Sequence, residues 1–407
     1  LVKGLNTLHI NTQDRILRDQ LVFRPGQALE PFQLGDSERL LRERTFIKDA
    51  RVYPVLRGPD SDTVDVLVIE KDIWSLLINF RFPERRKMDL FFSEQNFLGL
   101  GLELIQSLRF DLDNRLGYQG LFRHPNILGS YTVGEFTYSN LPELQLFGVR
   151  GERRFVTPDI RYGGGVDFQN VERIDTLYAL RDFQSLNEIA YNEATGWMGY
   201  NILLNRRSRA ERRASLIPAL RYRWRDYFDR PPPETDSLLY QDTRLLIGSL
   251  TLSRQQFYTD NLLFGFGRTE DIPTGLRLEL VAGYEWGEFS DRPYSGASLS
   301  WSKNTRRLGY LAAQLNLGSY FLDGELDQGL LEIRSQYFSR LLNAGRPIKQ
   351  RSIVEFQYTR GVNRRPNEVL RIDSRFGVRG LSSDSLKGQS SAVISLTQLF
   401  FTSWHPL

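Results

Sequence analysis

The chain has no cysteine, only two methionines and only three histidines in 407 residues. Without cysteine there is no disulfide framework and no thiol chemistry. His9, His124 and His405 stand far apart, and neither an HExxH nor a paired-histidine spacing occurs, so a zinc site would have to lean on carboxylates. There is no GxSxG elbow, no phosphate loop and no GxGxxG. Gly99-x-Gly101 and Gly265-x-Gly267 are fragments of that last pattern, which strand glycines explain. The 49 acidic residues leave a paired-carboxylate glycosidase open by count alone. No motif marks a reaction, and the expectation is a chain that is not an enzyme and uses no cofactor and no metal. No run approaches 18 uninterrupted apolar residues, and the mean hydropathy is −0.38, which argues against a spanning helix. It does not argue against a membrane, because a spanning β-barrel dilutes its apolar positions with lumen-facing polar ones.

What is present fits such a barrel. Aromatic residues make up 12% of the chain and glycines number 33, suited to interfacial rings and strand bends. Of 53 basic residues seven are lysine, which leaves 46 arginines against 49 carboxylates and a net charge of +4. Nucleic-acid binding would require segregated positive charge, so no nucleic-acid partner is expected. Arginine is the side chain best shaped for bidentate pairing with carboxylates, as opposed walls of a polar lumen require. A compositional bias of arginine for lysine is the bland alternative. The sequence begins at Leu1 with no initiator methionine and no charged-then-apolar leader, so a secretory signal is not contained in it.

Along the chain, residues 1–75 read as a small α/β unit of order β-α-α-β-β. Gln13 to Phe23 and Phe32 to Arg44 have near-helical apolar spacing, with Thr12 as cap of the first, Ser37 or Asp36 as cap of the second, and Pro25-Gly26 as a stop. Ala50 to Leu56 and Thr63 to Ile69 read as strands around a turn. Residues 76–95 read as a hinge, with Phe80-Arg-Phe-Pro83 and the basic cluster Arg85-Arg-Lys87. From 96 to 407 alternating segments succeed one another: Leu276, Leu278, Leu280, Ala282, Tyr284 and Trp286 oppose Arg277, Glu279 and Glu285, and Val354, Phe356 and Tyr358 oppose Glu355, Gln357 and Thr359. A period of two fits strands that divide two environments, and about 12 to 14 strands fit the length. A connection of about thirty residues before the last run, Ala392 to Phe400, is long enough to be functional by default.

Three motifs then carry a resemblance. The order of the first 75 residues, with Gly26 and the run Leu40 to Val52, resembles a POTRA domain. Asn96-Phe97-Leu-Gly99-Leu-Gly101 resembles the start of the first barrel strand in BamA and TamA proteins. Val378-Arg379-Gly380 is similar to the motif that this superfamily carries on a long loop folded back into the barrel. The resemblance covers nearly the whole chain and implies a mainly β fold: a transmembrane antiparallel β-barrel preceded by one small POTRA-like α/β domain. It implies that Leu41, Phe46, Val52 and Val55 supply the core or edge of the small domain. Asn96, Phe97, Gly99 and Gly101 would lie at the barrel seam, and Arg379 would pin the loop inside the lumen. Such barrels are expected to have sixteen strands with several after the loop. Only one run follows here, so either closing strands are missing from this sequence or the barrel is built differently.

The implied activity is insertion or translocation of polypeptides at the bacterial outer membrane, with the small domain in the periplasm. Its partners would be unfolded outer-membrane protein clients, outer-membrane lipid or lipopolysaccharide, and periplasmic or lipoprotein accessory subunits. The outer strand from Ala50 would capture an extended client by edge pairing. Two alternatives remain at this point: a passive pore or a lipid or solute transporter, and a soluble all-β carbohydrate-binding protein.

Overall fold

The computed structural model describes residues 11–58, 62–84, 87–111, 115–178, 184–204, 213–232, 239–263, 267–305, 307–345, 348–365, 368–372, 377–378 and 386–402. They fall into two compact units, Leu1–Arg173 with Ile189–Met198 and Thr259–Asp271, and Ile174–Glu188 with Gly199–Tyr258 and Ile272–Leu407.

The first unit opens with helices α1 (Asp14–Arg18) and α2 (Pro31–Arg42) and the hairpin β1 (Ile47–Leu56) and β2 (Val64–Asp72). α2 starts where Pro31 presets the first turn and Glu30 and Gln33 form a capping box. Neither Ser37 nor Asp36 is its cap: Ser37 is fully buried inside the helix and its Oγ accepts the Val22 N–H at 3.1 Å. α1 is shorter than its apolar spacing predicts: past Arg18 the backbone tightens, with Gln20 N–H on Leu17 C=O and Leu21 N–H on Arg18 C=O, three residues back rather than four. Its N-cap residue is Gln13 rather than Thr12. Ile16, Leu41, Phe46, Ile47, Ala50 and Val52 make the small core, with Val66 and Val68 packed on it. The amino-terminal strand of the expected β-α-α-β-β order lies outside the described residues.

The same unit continues as a wall of antiparallel strands: β3 (Leu76–Glu84), β4 (Lys87–Phe97), β5 (Leu102–Asp111), β6 (Arg115–His124), β7 (Thr132–Leu141), β8 (Leu144–Arg153) and β9 (Tyr162–Tyr178). The register places Leu104, Phe122, Phe136, Val149 and Phe168 in one row across five strands. The last four of these are exposed, at 39, 42, 47 and 40%. The adjacent row is Glu103, Arg123, Glu135, Arg150 and Asp167, opposite charges at every step. Arg123 bridges Glu103 at 3.2 Å and Glu135 at 2.8 Å. This is the arginine use that the composition implies: forks paired with carboxylates on a polar face.

The strands that follow are β10 (Gln184–Tyr200), β11 (Ile202–Leu203), β12 (Ser215–Asp229), β13 (Thr243–Asn261), β14 (Thr269–Gly287), β15 (Arg292–Thr305), β16 (Gly309–Leu322), β17 (Glu325–Phe338), β18 (Leu342–Asn343) and β19 (Ile348–Val362). They belong to the second unit except for the 189–198 part of β10, the end of β13 from Thr259 and the start of β14 up to Asp271, which belong to the first. The short pair β20 (Leu370–Arg371) and β21 (Lys387–Gly388) follows, and then β22 (Ser390–Thr402). Leu278, Leu299, Leu315, Ile333, Tyr358 and Ala392 form an outward apolar row. Leu280, Leu396 and Ile394 beside it are 52, 72 and 74% exposed. On the other face Ser298, Asn316 and Glu332 bond in series at 2.7 and 2.9 Å. A soluble all-β protein would turn the aliphatic rows inward; here they are the uncovered ones.

By hydrogen-bonded neighbours, eighteen described strands, β3 to β19 and β22, make a closed antiparallel barrel, and two of these are two-residue pieces, leaving sixteen long ones. Three expectations are thereby corrected. The stretch 76–95 is not a hinge: it forms β3 and most of β4, because Leu76 to Glu84 pairs with Lys87 to Glu94. The strand count exceeds 12 to 14, and among the described strands β22, after the long connection, is followed in the order by β3. The Asn96 to Gly101 run is not the barrel seam: the strand after it, β5, is paired along both edges, with β4 and with β6.

Candidate functional site

The resemblance pointed to two places, the outer edge of β1 and the lumen, and the structure builds each from its own residues. β1 is held by β2 on one side and has no other described strand neighbour. Backbone groups of alternate residues in a strand point the same way, so Ala50, Val52 and Pro54 share the outer edge. That edge is occupied by side chains. Val52 N–H donates to Glu38 Oε1 at 2.9 Å, Ala50 C=O accepts from Arg42 Nη1 at 2.9 Å, and Ala50 N–H donates to Asp49 Oδ1 at 3.0 Å. Pro54 has no N–H to offer, as a proline placed on an edge should not. Leu41, Phe46 and Val52 are core, whereas Val55 is 45% exposed beside exposed Tyr53 and Leu56.

Arg42 is itself buried and forked. Its Nε and Nη2 donate to Asp271 at 2.7 and 2.8 Å, and its Nη1 also reaches Glu38 at 3.1 Å. Burial alone would lower its pKa; the hydrogen bonds and charges of Asp271 and Glu38 more than offset this and hold it above the ordinary value. Asp271 lies on β14, just after the connection from β13. Arg268 of that connection donates to Arg44 C=O and Ile47 C=O at 3.3 and 3.1 Å.

Other connections grip the small domain in the same way. Arg39 Nη2 donates to Val156 C=O at 2.5 Å, Asn126 Nδ2 to Asp19 C=O at 2.8 Å, and Tyr131 Oη to Leu21 C=O at 2.9 Å. The Asn96 run belongs to this set. Asn96 is 3% exposed; its Nδ2 donates to Thr12 Oγ1 at 2.9 Å and its Oδ1 accepts Gly101 N–H at 2.8 Å. Thr12 in turn donates to Asp72, and Gly99 C=O accepts Gln13 N–H at 2.9 Å. Gly101 has φ of +65°, and a Cβ there would stand 3.0 Å from Ile16 Cγ2, so glycine is required both for the turn and for the approach. Phe97 ends β4 and is 37% exposed. The motif is therefore a clamp between the small domain and the β4–β5 turn. The roles of Arg39, Arg42, Arg268 and Asp271 have no signature in the sequence beyond two arginines three apart in one helix, both of them buried.

The lumen side of the second unit holds a cavity of about 750 Å³ lined by Gln314, Arg334, Gln336, Glu355, Gln357 and Gly377, among others. Gly377 is the first described residue before the loop motif, and a Cβ on it would lie 3.1 Å from Val393 Cγ2. Val393 belongs to the half-buried row of β22, opposite exposed Ile394. The long connection thus returns against the inner face. Val378 is 47% exposed, with its N–H on Ile372 C=O; Arg379 and Gly380 lie outside the described residues. A second arginine does what was expected of Arg379. Arg292, 3% exposed, donates to Glu285 at 2.5 Å and to Asp327 and Gln328 at 2.6 Å, with its guanidinium 4.2 Å from the Tyr320 ring centre. Gln328 holds Glu368 at 2.8 Å and Asp327 faces Arg365 at 3.6 Å, so this network anchors the base of the long connection.

No protein-family model matches the chain, and no curated protein matches it. Among solved structures it is similar to BamA from Haemophilus ducreyi lacking POTRA domains 1–3 (10% identity, TM-score 0.31, 87% of this chain and 70% of that one). It is similar also to CdiB from Acinetobacter baumannii (11%, 0.39, 96% and 72%) and to CdiB from Escherichia coli (14%, 0.41, 96% and 74%). The barrel assignment stands on the strand order and the outward apolar rows, independent of these overlays.

Proposed function

We propose that the chain is an outer-membrane barrel that inserts or translocates polypeptides, makes and breaks no bond, and carries its small domain on the periplasmic side. The observation that carries this reading is the direct clamp between a small domain with an outer strand edge and the turns of a barrel with a polar lumen. A domain built only as a tether has no need of so many separate grips on successive turns. Clients are extended segments of unfolded outer-membrane proteins, recognised through main-chain pairing rather than side-chain readout. The templating strand is β3, which in the barrel order joins the last long strand, β22, to β4; its Leu77, Ile78, Phe80 and Phe82 are all more than half exposed. Lipid or lipopolysaccharide surrounds the apolar rows, and accessory subunits bind from the periplasm.

Depletion of the protein tests this. Other outer-membrane barrels should fall in abundance, and Arg379→Ala should lower client assembly while the variant's own barrel keeps its heat-modifiable migration. The polar cavity favours one other reading, a passive pore or solute carrier. Normal client levels together with a large conductance in planar bilayers would establish that reading in place of this one.

A further inference from the structure

We infer that the Glu38–Arg42 pair is a latch that stands in for an incoming strand on β1, and that Asp271 of the β13–β14 corner holds the latch shut. The occupant it excludes is an extended polypeptide, so the inference rests on the insertion reading above and concerns the control of that same edge.

An antiparallel or parallel neighbour satisfies an edge by bringing a C=O to each outward N–H and an N–H to each outward C=O. Glu38 supplies the acceptor to Val52 N–H and Arg42 the donor to Ala50 C=O, each at 2.9 Å. Both come from one turn of α2 and are bonded to each other at 3.1 Å. With Asp49 on the Ala50 N–H and a proline at 54, every outward donor from Ala50 to Pro54 is taken or missing. A client pairing at Ala50 and Val52 has to displace both side chains, and its own backbone groups then replace their hydrogen bonds one for one.

The latch is not local to the small domain. The side chains of Arg42 and Asp271 are 4% and 9% exposed and doubly bonded, and a forked pair so buried is rigid. Asp271 therefore fixes where Arg42, and through it Glu38, can stand. Loosening the β13–β14 corner loosens the edge, and a client on the edge pulls on the corner. Arg268 beside it, on the Arg44 and Ile47 carbonyls, carries the same coupling.

The test uses the full chain in lipid nanodiscs. The first readout is amide exchange at Val52. The second is cross-linking from a photoreactive residue replacing Val55 to a synthetic peptide copying Ser390–Thr402, an extended alternating segment. Heat-modifiable migration confirms a folded barrel in each variant. Asp271→Asn leaves β1 and α2 untouched, yet it should speed Val52 exchange about tenfold, the factor that corresponds to ~1.4 kcal/mol. Glu38→Ala should do so more strongly, and both should raise peptide cross-linking several-fold over the parent. Unchanged Val52 exchange in Asp271→Asn overturns the latch, whatever the peptide does. Faster exchange with equal cross-linking in all forms also overturns it and leaves the insertion reading standing. Faster exchange with no cross-link in any form overturns the capture of clients at this edge, and the latch with it.

Discussion

Replacing Arg292 by methionine removes the cation of the inner network and leaves its carboxylates in place. Glu285 is 2% exposed and Asp327 sits at the mouth of the same cluster. Breaking a buried pair by removing one partner costs roughly 3 to 5 kcal/mol, because the remaining charge is left uncompensated. Here Glu285 keeps the Tyr320 hydroxyl at 3.2 Å and Arg223 at 3.6 Å, which places the expected loss at the lower end, about 3 kcal/mol or a factor on the order of 10² in the unfolding equilibrium. Equilibrium urea unfolding in lipid vesicles, followed by tryptophan fluorescence, measures it. The double variant Arg292→Met with Glu285→Met should cost less than the single one, since neither charge is then buried alone. Limited proteolysis of the connection after Val362 should quicken in the single variant, because Asp327 and Gln328 lose the arginine that orders them against Arg365 and Glu368. A single variant within about 1 kcal/mol of the parent, with the double variant no better, would refute the claim that this network pins the connection.

Two further outcomes follow from the small domain. Burial, and then the nearby Asp72 carboxylate, push the Glu70 carboxyl up to about 7. The folded chain therefore holds this proton more tightly than the unfolded one, and the stability it contributes is full below about pH 4.5 and lost as the pH rises through 7. Because Glu70 is only half-buried, screening reduces the effect to about 1 kcal/mol. Exchange protection of the β1–β2 amides, corrected for intrinsic rates, should drop between pH 5.5 and 7.5 in the parent and not in Glu70→Gln; the same drop in both would remove Glu70 as the cause. Asn96→Ala deprives buried Gly101 N–H of its acceptor and Thr12 of its donor, at about 2 kcal/mol. Trypsin should cut faster at Arg15 and Arg18 in that variant, with Asn96→Asp intermediate because it keeps the acceptor, and equal cutting rates would show that the clamp does not hold α1.

The parts that were legible in the sequence are those fixed by period. Leu276 to Trp286 could be assigned to an outward row because each second residue meets the same environment, and no partner strand has to be known for that. For the small core the resemblance, not the period, is what names Leu41, Phe46 and Val52, and all three are buried. What periodicity does not carry is which end of a strand meets which turn. Leu76 to Glu84 looks like a hinge in sequence because Phe80-Arg-Phe-Pro83 breaks its alternation and a basic cluster at 85–87 follows it, yet hydrogen bonding to β4 makes it a strand regardless of which faces are apolar. The Asn-Phe-Leu-Gly-x-Gly run resembles a first-strand start but lies at the β4–β5 turn: its glycines and buried amide demand a special position, and a strand start and a turn gripped by another domain make the same demand. The contacts that decide between them, Asn96 with Thr12 and Arg42 with Asp271, join residues 84 and 229 positions apart. Pairings at that separation leave no periodic trace in one chain. Pro54 is the reverse case, a residue type that carries position by itself: a missing N–H is best tolerated on an edge or at a bulge, and Pro54 lies on the outer side of β1.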